Sequence, residues 1–369
     1  MRALKWRFSF RSWRDKFLHN LLGYDRAALT DFFTHRGHKP YRAAQVFRRL
    51  HAGRQNPPDI FADLPKPVRA ALIAETECPP MPVTADHTAD DGARKLLFQV
   101  AGGSIESVLI PERTRLTLCI SSQAGCALAC RFCLTGKQGF SHNLTAAEII
   151  GQLRQASAIQ THRITNVVMM GMGEPLLNLE AVLPALRIMT DAHGYALAPR
   201  RVTVSTAGIV PAMARLGEAV NVSLAVSLHA PEDDLRNTLM PINRKYPLAD
   251  LMEACRRYLS LRPRSSITFE YVMLRDVNDD PACARALVRL LHGVRAKVNL
   301  IPFNPFDGAP YTPSSRETIL KFRQTLVASG VVTTIRKNRG GDISAACGQL
   351  AGDVRARTGG LGEMPLIRA

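Results

Sequence analysis

The chain is short of several things, and each shortage excludes a class of protein. Eight of 369 residues are cysteine, too few for a scaffold built on disulfides. No apolar run approaches the roughly 18 residues that a membrane-crossing helix needs, so no transmembrane helix is expected. The stretch MRALKWRFSFRSWRDKF at the start is Arg-rich and lacks the apolar centre of a secretory signal. The compartment expected is therefore the reducing cytoplasm. Acidic residues are scarce as well: 31 Asp and Glu stand against 48 Lys and Arg, a net charge of +17. The apolar fraction of 46% still suffices for a sizeable core, which excludes general disorder.

The basic surplus is uneven. Residues 1–60 hold 13 Lys and Arg against 4 Asp, a net +9. A solvated face is the bland explanation, but clustering of this kind points to a polyanion: nucleic acid or an anionic membrane surface. Both tryptophans, Trp6 and Trp13, lie in the same stretch. Residues 1–20 read as a basic extension, either a tail that folds on RNA or the product of an upstream start codon.

Four segments follow from the pattern: 1–20, the extension; 21–100, an accessory domain; 101–350, the core; and 351–369, a Gly-rich basic tail expected to be flexible. The accessory domain is mainly helical, with apolar residues at three- and four-residue spacing over 25–33 and 41–51. The Cys78-Pro79-Pro80-Met81-Pro82 stretch reads as a linker. Short β-like runs follow at 95–100 and 106–111. Strand patterns then recur at 116–121, 166–170, 201–205, 221–227, 267–273, 297–301 and 331–336. Helical patterns lie between them at 145–160, 179–193, 210–218, 248–261, 281–294 and 315–329. This alternation predicts a parallel sheet with crossover helices, an α/β architecture close to a partial (β/α)6 barrel. Such barrels carry their chemistry at the C-terminal ends of the strands. Gly171-Met172-Gly173-Glu174, Ser205-Thr206, Ser227-Leu228-His229 and Asn304 all fall there.

Three cysteines crowd the loop after the first of those strands. Cys126, Cys130 and Cys133 have the spacing C-x3-C-x2-C, which can hold three irons of a four-iron cubane and leave the fourth open to a ligand. The competing reading is structural zinc with His142 as fourth ligand. Glycines at 171 and 173 permit close backbone approach, and the Glu174 carboxylate suits an ammonium group. Each of the other strand-end motifs is weak alone; a core His229 satisfied by the backbone is its default.

The cysteine loop resembles the signature of the radical S-adenosylmethionine (SAM) superfamily. Thr117-Leu118-Cys119-Ile120-Ser121-Ser122-Gln123, the Gly-Met-Gly-Glu-Pro stretch from Gly171 and the segment from Arg339 through Cys347 to Leu350 narrow the resemblance to the RlmN family, radical SAM enzymes that methylate carbon 2 of adenine in rRNA or tRNA. The resemblance covers about 20–350, including Pro40 to Val46 of the accessory domain. One departure is Phe47-Arg48-Arg49-Leu50-His51, where many members carry an aromatic-rich run, so RNA choice is expected to differ.

The resemblance implies a [4Fe-4S] cluster on Cys126, Cys130 and Cys133, with SAM held by Gly173, Glu174, Ser205, Ser227, Leu228, His229 and Asn304. It implies that two SAM are used per turnover. The first methylates Cys347; the second yields a radical that takes hydrogen from the S-methyl group. The resulting carbon adds to adenine, Glu106 removes the carbon 2 proton, and Cys119 releases the product by forming a disulfide with Cys347. RNA and a one-electron donor such as flavodoxin or ferredoxin are the partners implied, and a monomer is expected. Cys78, Cys255 and Cys283 read as structural. Methylation of adenine carbon 8, a radical SAM reaction on a non-RNA substrate, and RNA binding by a degenerate barrel are the alternatives.

Overall fold

A computed structural model describes residues 18–53, 59–101 and 103–352. Its framework among those residues is a ten-stranded sheet in which spatial order repeats chain order. The strands are β1 (Val83–Thr88), β2 (Arg94–Val100), β3 (Gly103–Glu112), β4 (Arg115–Cys119), β5 (Asn166–Met169), β6 (Val202–Thr206), β7 (Ser223–Ser227), β8 (Ile267–Met273), β9 (Ala296–Pro302) and β10 (Val332–Ile335). From β1 to β4 the pairing is antiparallel, and from β4 to β10 it is parallel.

Parallel neighbours need a crossover, and each crossover carries a helix. These are α4 (Ala146–Ala158), α5 (Leu179–Thr190), α6 (Val210–Ala219), α7 (Leu248–Leu261), α8 (Pro281–Leu290) and α9 (Arg316–Ala328). The expected helix and strand positions recur to within a few residues. Buried runs such as Leu224-Ala225-Val226 in β7 are what a strand covered on both faces requires. Helix α4 starts at a capping box: Thr145 Oγ1 accepts from the Glu148 amide, and the Glu148 carboxylate accepts from the Thr145 amide.

The sheet does not close on itself; β1 and β10 are its two edges. The open side is spanned by the segment after β10. The Gly340 amide donates to Asp91, the Asp90 amide to Asp342, the Leu134 amide to the Gly348 carbonyl and Thr135 Oγ1 to the Leu350 carbonyl. Residues 351 and 352, expected to begin a flexible tail, are packed: the Ala351 amide donates to Glu106 and the Gly352 carbonyl accepts from Gln138. The rest of that tail, and residues 1–17 of the basic extension, lie outside the described residues.

Two features escaped the sequence reading. Strand β1 was not anticipated, because Val83-Thr-Ala-Asp-His-Thr88 is almost wholly exposed and lacks apolar alternation. The expected boundary at 100 falls inside the β2–β3 hairpin, whose strands pair from Arg94–Leu109 to Val100–Gly103. The helices α1 (Arg26–Thr34), α2 (Pro40–His51) and α3 (Lys66–Glu75) precede β1. They dock on the crossover helices: Arg187 on α5 reaches Asp25 at 3.1 Å, and Arg154 on α4 donates to the Leu50 carbonyl.

Candidate active site

The parallel strands end around one cavity, and the segment after β10 covers it. The cavity is lined by Cys126, Cys130 and Cys133 on one wall, Gly173, Glu174, Ser205, Ser227, His229 and Asn304 at the strand ends, and Cys347 above. Ten of the thirteen expected site residues are thus brought together. Leu228, Cys119 and Glu106 do not line it. Leu228 lies between the lining residues Ser227 and His229: its side chain is buried, its amide donates to the Glu270 carbonyl and its carbonyl accepts from Arg236, so it braces two strand ends.

The cysteine loop is pinned at both ends. The Cys126 amide donates to the Gly139 carbonyl, and the Cys133 amide to the Cys130 carbonyl. Between them Ala129 takes a φ of 52°, a left-handed conformation that costs a residue with Cβ energy and turns the loop inward. Burial pushes the Cys126 thiol up to about 12, with the Cys133 charge adding to the effect, and it raises Cys130 and Cys133 in the same sense. Thiols in such a place lose their protons when a metal binds the sulfur rather than by ionising alone.

The donor set fits an iron–sulfur cubane. Among the described residues no three His, Cys, Asp or Glu side chains converge on a point where a single metal ion could sit. A cubane offers each of the three thiolates of the loop its own iron. His142 lies on the strand Phe140–Asn143, which pairs with Gln123–Gly125; its Nδ1 is 3.4 Å from Ser141 Oγ and its buried Nε2 has no hydrogen-bond partner among the described residues.

A glycine cradle fits the SAM methionine. Gly173 has a φ of +96°, and a Cβ there would meet the Gln123 Cβ at 2.4 Å. Beside it the Glu174 carboxylate accepts from the Ala207 amide at 2.7 Å and the Leu176 amide at 3.0 Å. Burial lifts its pKa to about 7 despite those bonds, so an arriving cation would restore its charge. His229 at φ 59° accepts on Nδ1 from the Val272 amide, which leaves its proton on Nε2. Burial, then the Arg236 charge, lower it to about 3, so this ring stays neutral. Phe132 stands edge-on to it at 4.5 Å.

Cys347 is held over the cavity by Asn304 Nδ2, which donates to its carbonyl at 3.2 Å. Burial pushes the Cys119 thiol up to about 12, with Arg336 opposing. Glu106 lies on β3, paired with Leu97 of β2. Its carboxylate meets Lys95 Nζ at 3.3 Å and the Ala351 amide at 3.0 Å, so it touches the same segment that carries Cys347.

Three cavity residues went unread in the sequence. Glu270 interrupts the apolar strand Ile267–Met273, and its carboxylate accepts from Asn299. Arg336 follows the last strand, where the strand-end rule points. Met240 carries no such signal.

The comparisons with known proteins agree with this geometry. The radical SAM superfamily matches residues 120–284, and the ribosomal RNA large subunit methyltransferase N-terminal domain matches residues 19–78. The chain is 52% identical over 349 residues to the dual-specificity RNA methyltransferase RlmN of Alcanivorax borkumensis, covering 92% of each chain. It is similar to the crystal structure of a radical SAM methyltransferase from Sphaerobacter thermophilus, with 44% identity, a TM-score of 0.82 and coverage of 90% of this chain and 99% of that one. With the cysteine loop, the glycine cradle and the segment over the cavity in the family's order, the chain belongs to the RlmN family of radical SAM enzymes.

Proposed function

We propose that the chain is a SAM-dependent RNA methyltransferase that methylates carbon 2 of adenine in rRNA or tRNA, with Cys347 as methyl carrier. One observation carries the reading: Cys347, on the segment after β10, lines the same cavity as the cysteine loop. Adenine carbon 2 is electron-poor and cannot attack a methyl sulfonium, so the carbon must arrive as a radical.

Cys126, Cys130 and Cys133 would hold a [4Fe-4S] cluster, and Gly173, Glu174, Ser205, Ser227, His229 and Asn304 would hold SAM. When bound, the two supply one-electron chemistry that generates a hydrogen-abstracting carbon radical. The chain does the rest. Phe132, Met240 and Leu350 line the cavity with apolar surface and keep water from it. Cys347 sulfur accepts and then presents the methyl carbon. Glu106, oriented by Lys95 and the Ala351 amide, takes the carbon 2 proton. The Cys119 sulfur bonds to the Cys347 sulfur as the bond from that sulfur to the new methyl carbon breaks.

The N-terminal segment 21–100 serves as the RNA grip and 101–350 as the catalytic core. Tyr41 and Arg48 are exposed on α2, and contacts from such side chains to phosphate are largely blind to sequence. A one-electron donor such as flavodoxin or ferredoxin, a monomeric state and action in the cytoplasm complete the proposal. Among the described residues no helix is long and apolar enough to cross a membrane. Incubation of the reconstituted protein with rRNA and tRNA, followed by nucleoside mass spectrometry, tests the reading. 2-Methyladenosine is expected; 8-methyladenosine would move the reaction to the other carbon, and neither product would overturn it.

A further inference from the structure

Arg236 is the largest fully buried side chain among the described residues. It sits on the short helix Asp233–Leu239, whose DDLRNTL sequence reads as a solvent-facing turn. Its guanidinium donates to the carbonyls of Leu228 at 3.1 Å, Ala207 at 2.8 Å and Ser227 at 3.0 Å, and to Asn243 Oδ1 at 2.6 Å. Every one of these acceptors is neutral. Among the described residues no carboxylate forms an ion pair with it; the one in its network is Asp233, one step removed through Asn243. A buried cation so placed is costly, because its desolvation is not repaid by a counter-charge.

The missing anion has an obvious place. The Arg131 amide donates to the Leu239 carbonyl at 3.1 Å, which fastens the cysteine loop to the end of the helix that carries Arg236. Ala207, which Arg236 grips by its carbonyl, is gripped at its amide by Glu174. A cubane held by three thiolates is a net anion, and reduction makes it more negative. A fixed positive charge in a water-poor site favours the reduced state.

We propose that Arg236 is the built-in counter-charge of the cluster: it makes the cluster easier to reduce and holds the strand ends of the SAM site at the same time. This rests on the reading of the cysteine loop as a cluster site. Arg236 is a positioning residue, since it reaches neither substrate nor SAM.

The test uses the full chain, reconstituted with iron and sulfide without oxygen, and compares the wild type with Arg236→Lys, Arg236→Gln and Arg236→Met. The readouts are iron content and the cluster midpoint potential from a redox titration followed by electron paramagnetic resonance. The expected result is a potential shifted to more negative values in Gln and Met, with Lys close to the wild type. Neutral variants that fold but load less iron than Lys support the same conclusion. A loaded Gln or Met variant at the wild-type potential overturns it and leaves only a structural role. So does a Lys variant as defective as Gln, because hydrogen-bond geometry rather than charge would then be at work. A wild type that takes up no iron would instead sink the cluster reading itself.

Discussion

In the proposed mechanism three thiols, one glycine and two further cysteines decide most of the chemistry, and each can be removed separately. Replacement of Cys133 by Ala is expected to abolish cluster uptake, read as loss of iron and of the brown absorbance after reconstitution. Cys119→Ala should act later. It leaves Cys347 able to take the methyl group and add to RNA but without the thiol that releases it, so a covalent protein–RNA species should accumulate on a denaturing gel. Absence of that species would argue that Cys119 is ordinary core. Gly173→Ala tests the cradle. Its φ of +96° disfavours any Cβ, and the Gln123 backbone and side chain leave no room for one. SAM binding in equilibrium dialysis should fall sharply while the far-ultraviolet circular dichroism stays close to wild type.

At the scale of elements, the docking of the accessory helices turns on His51 at the end of α2. It stacks on Phe47 at 4.5 Å and faces Tyr195 of the core at 6.0 Å. Burial, followed by the Arg154 charge, lowers its pKa to about 3. The sign follows directly: the folded chain binds His51 in neutral form, so its contribution is whole above the unfolded value near 6.5 and is lost as pH falls toward 3. His51→Phe should therefore flatten the loss of thermal stability between pH 6.5 and 4, measured by calorimetry against the wild type. An unchanged slope would sink the assignment.

The same elements show what could be read from the chain. The parallel strands and their helices announced themselves because burial on both faces forces apolar runs such as that of β7, and caps such as Thr145-x-x-Glu148 mark where helices begin. Strand β1 stayed hidden because an exposed edge strand needs no apolar pattern. In the site, the cysteine loop and the glycines were legible because metal ligation and close backbone approach restrict residue type and spacing. Arg236 was not, because nothing local distinguishes a buried arginine from one on a helix surface; only the fold brings Ala207, Ser227 and Leu228 to it.

For the whole molecule, the charge of +17 sets the conditions of RNA binding. If about six phosphates are neutralised, affinity should drop roughly a thousand-fold between about 50 and 200 mM salt. A filter-binding series over that range checks it, and a flat response would mean that the basic surface faces solvent rather than RNA.

The sheet that repeats chain order has a consequence for how the protein comes into being. Each strand pairs with the one made just before it, so the sheet can be laid down as the chain leaves the ribosome, N-terminal part first. The cysteine loop is in place early, on the far side of most of the sheet's synthesis from Cys347. Because the segment that spans the open side follows every strand of the sheet, Cys347, the proposed methyl carrier, is the last working part to arrive. A chain still being made, or one cut short after β10, has the wall for its cluster and the cradle for SAM but nothing on which to carry carbon to RNA.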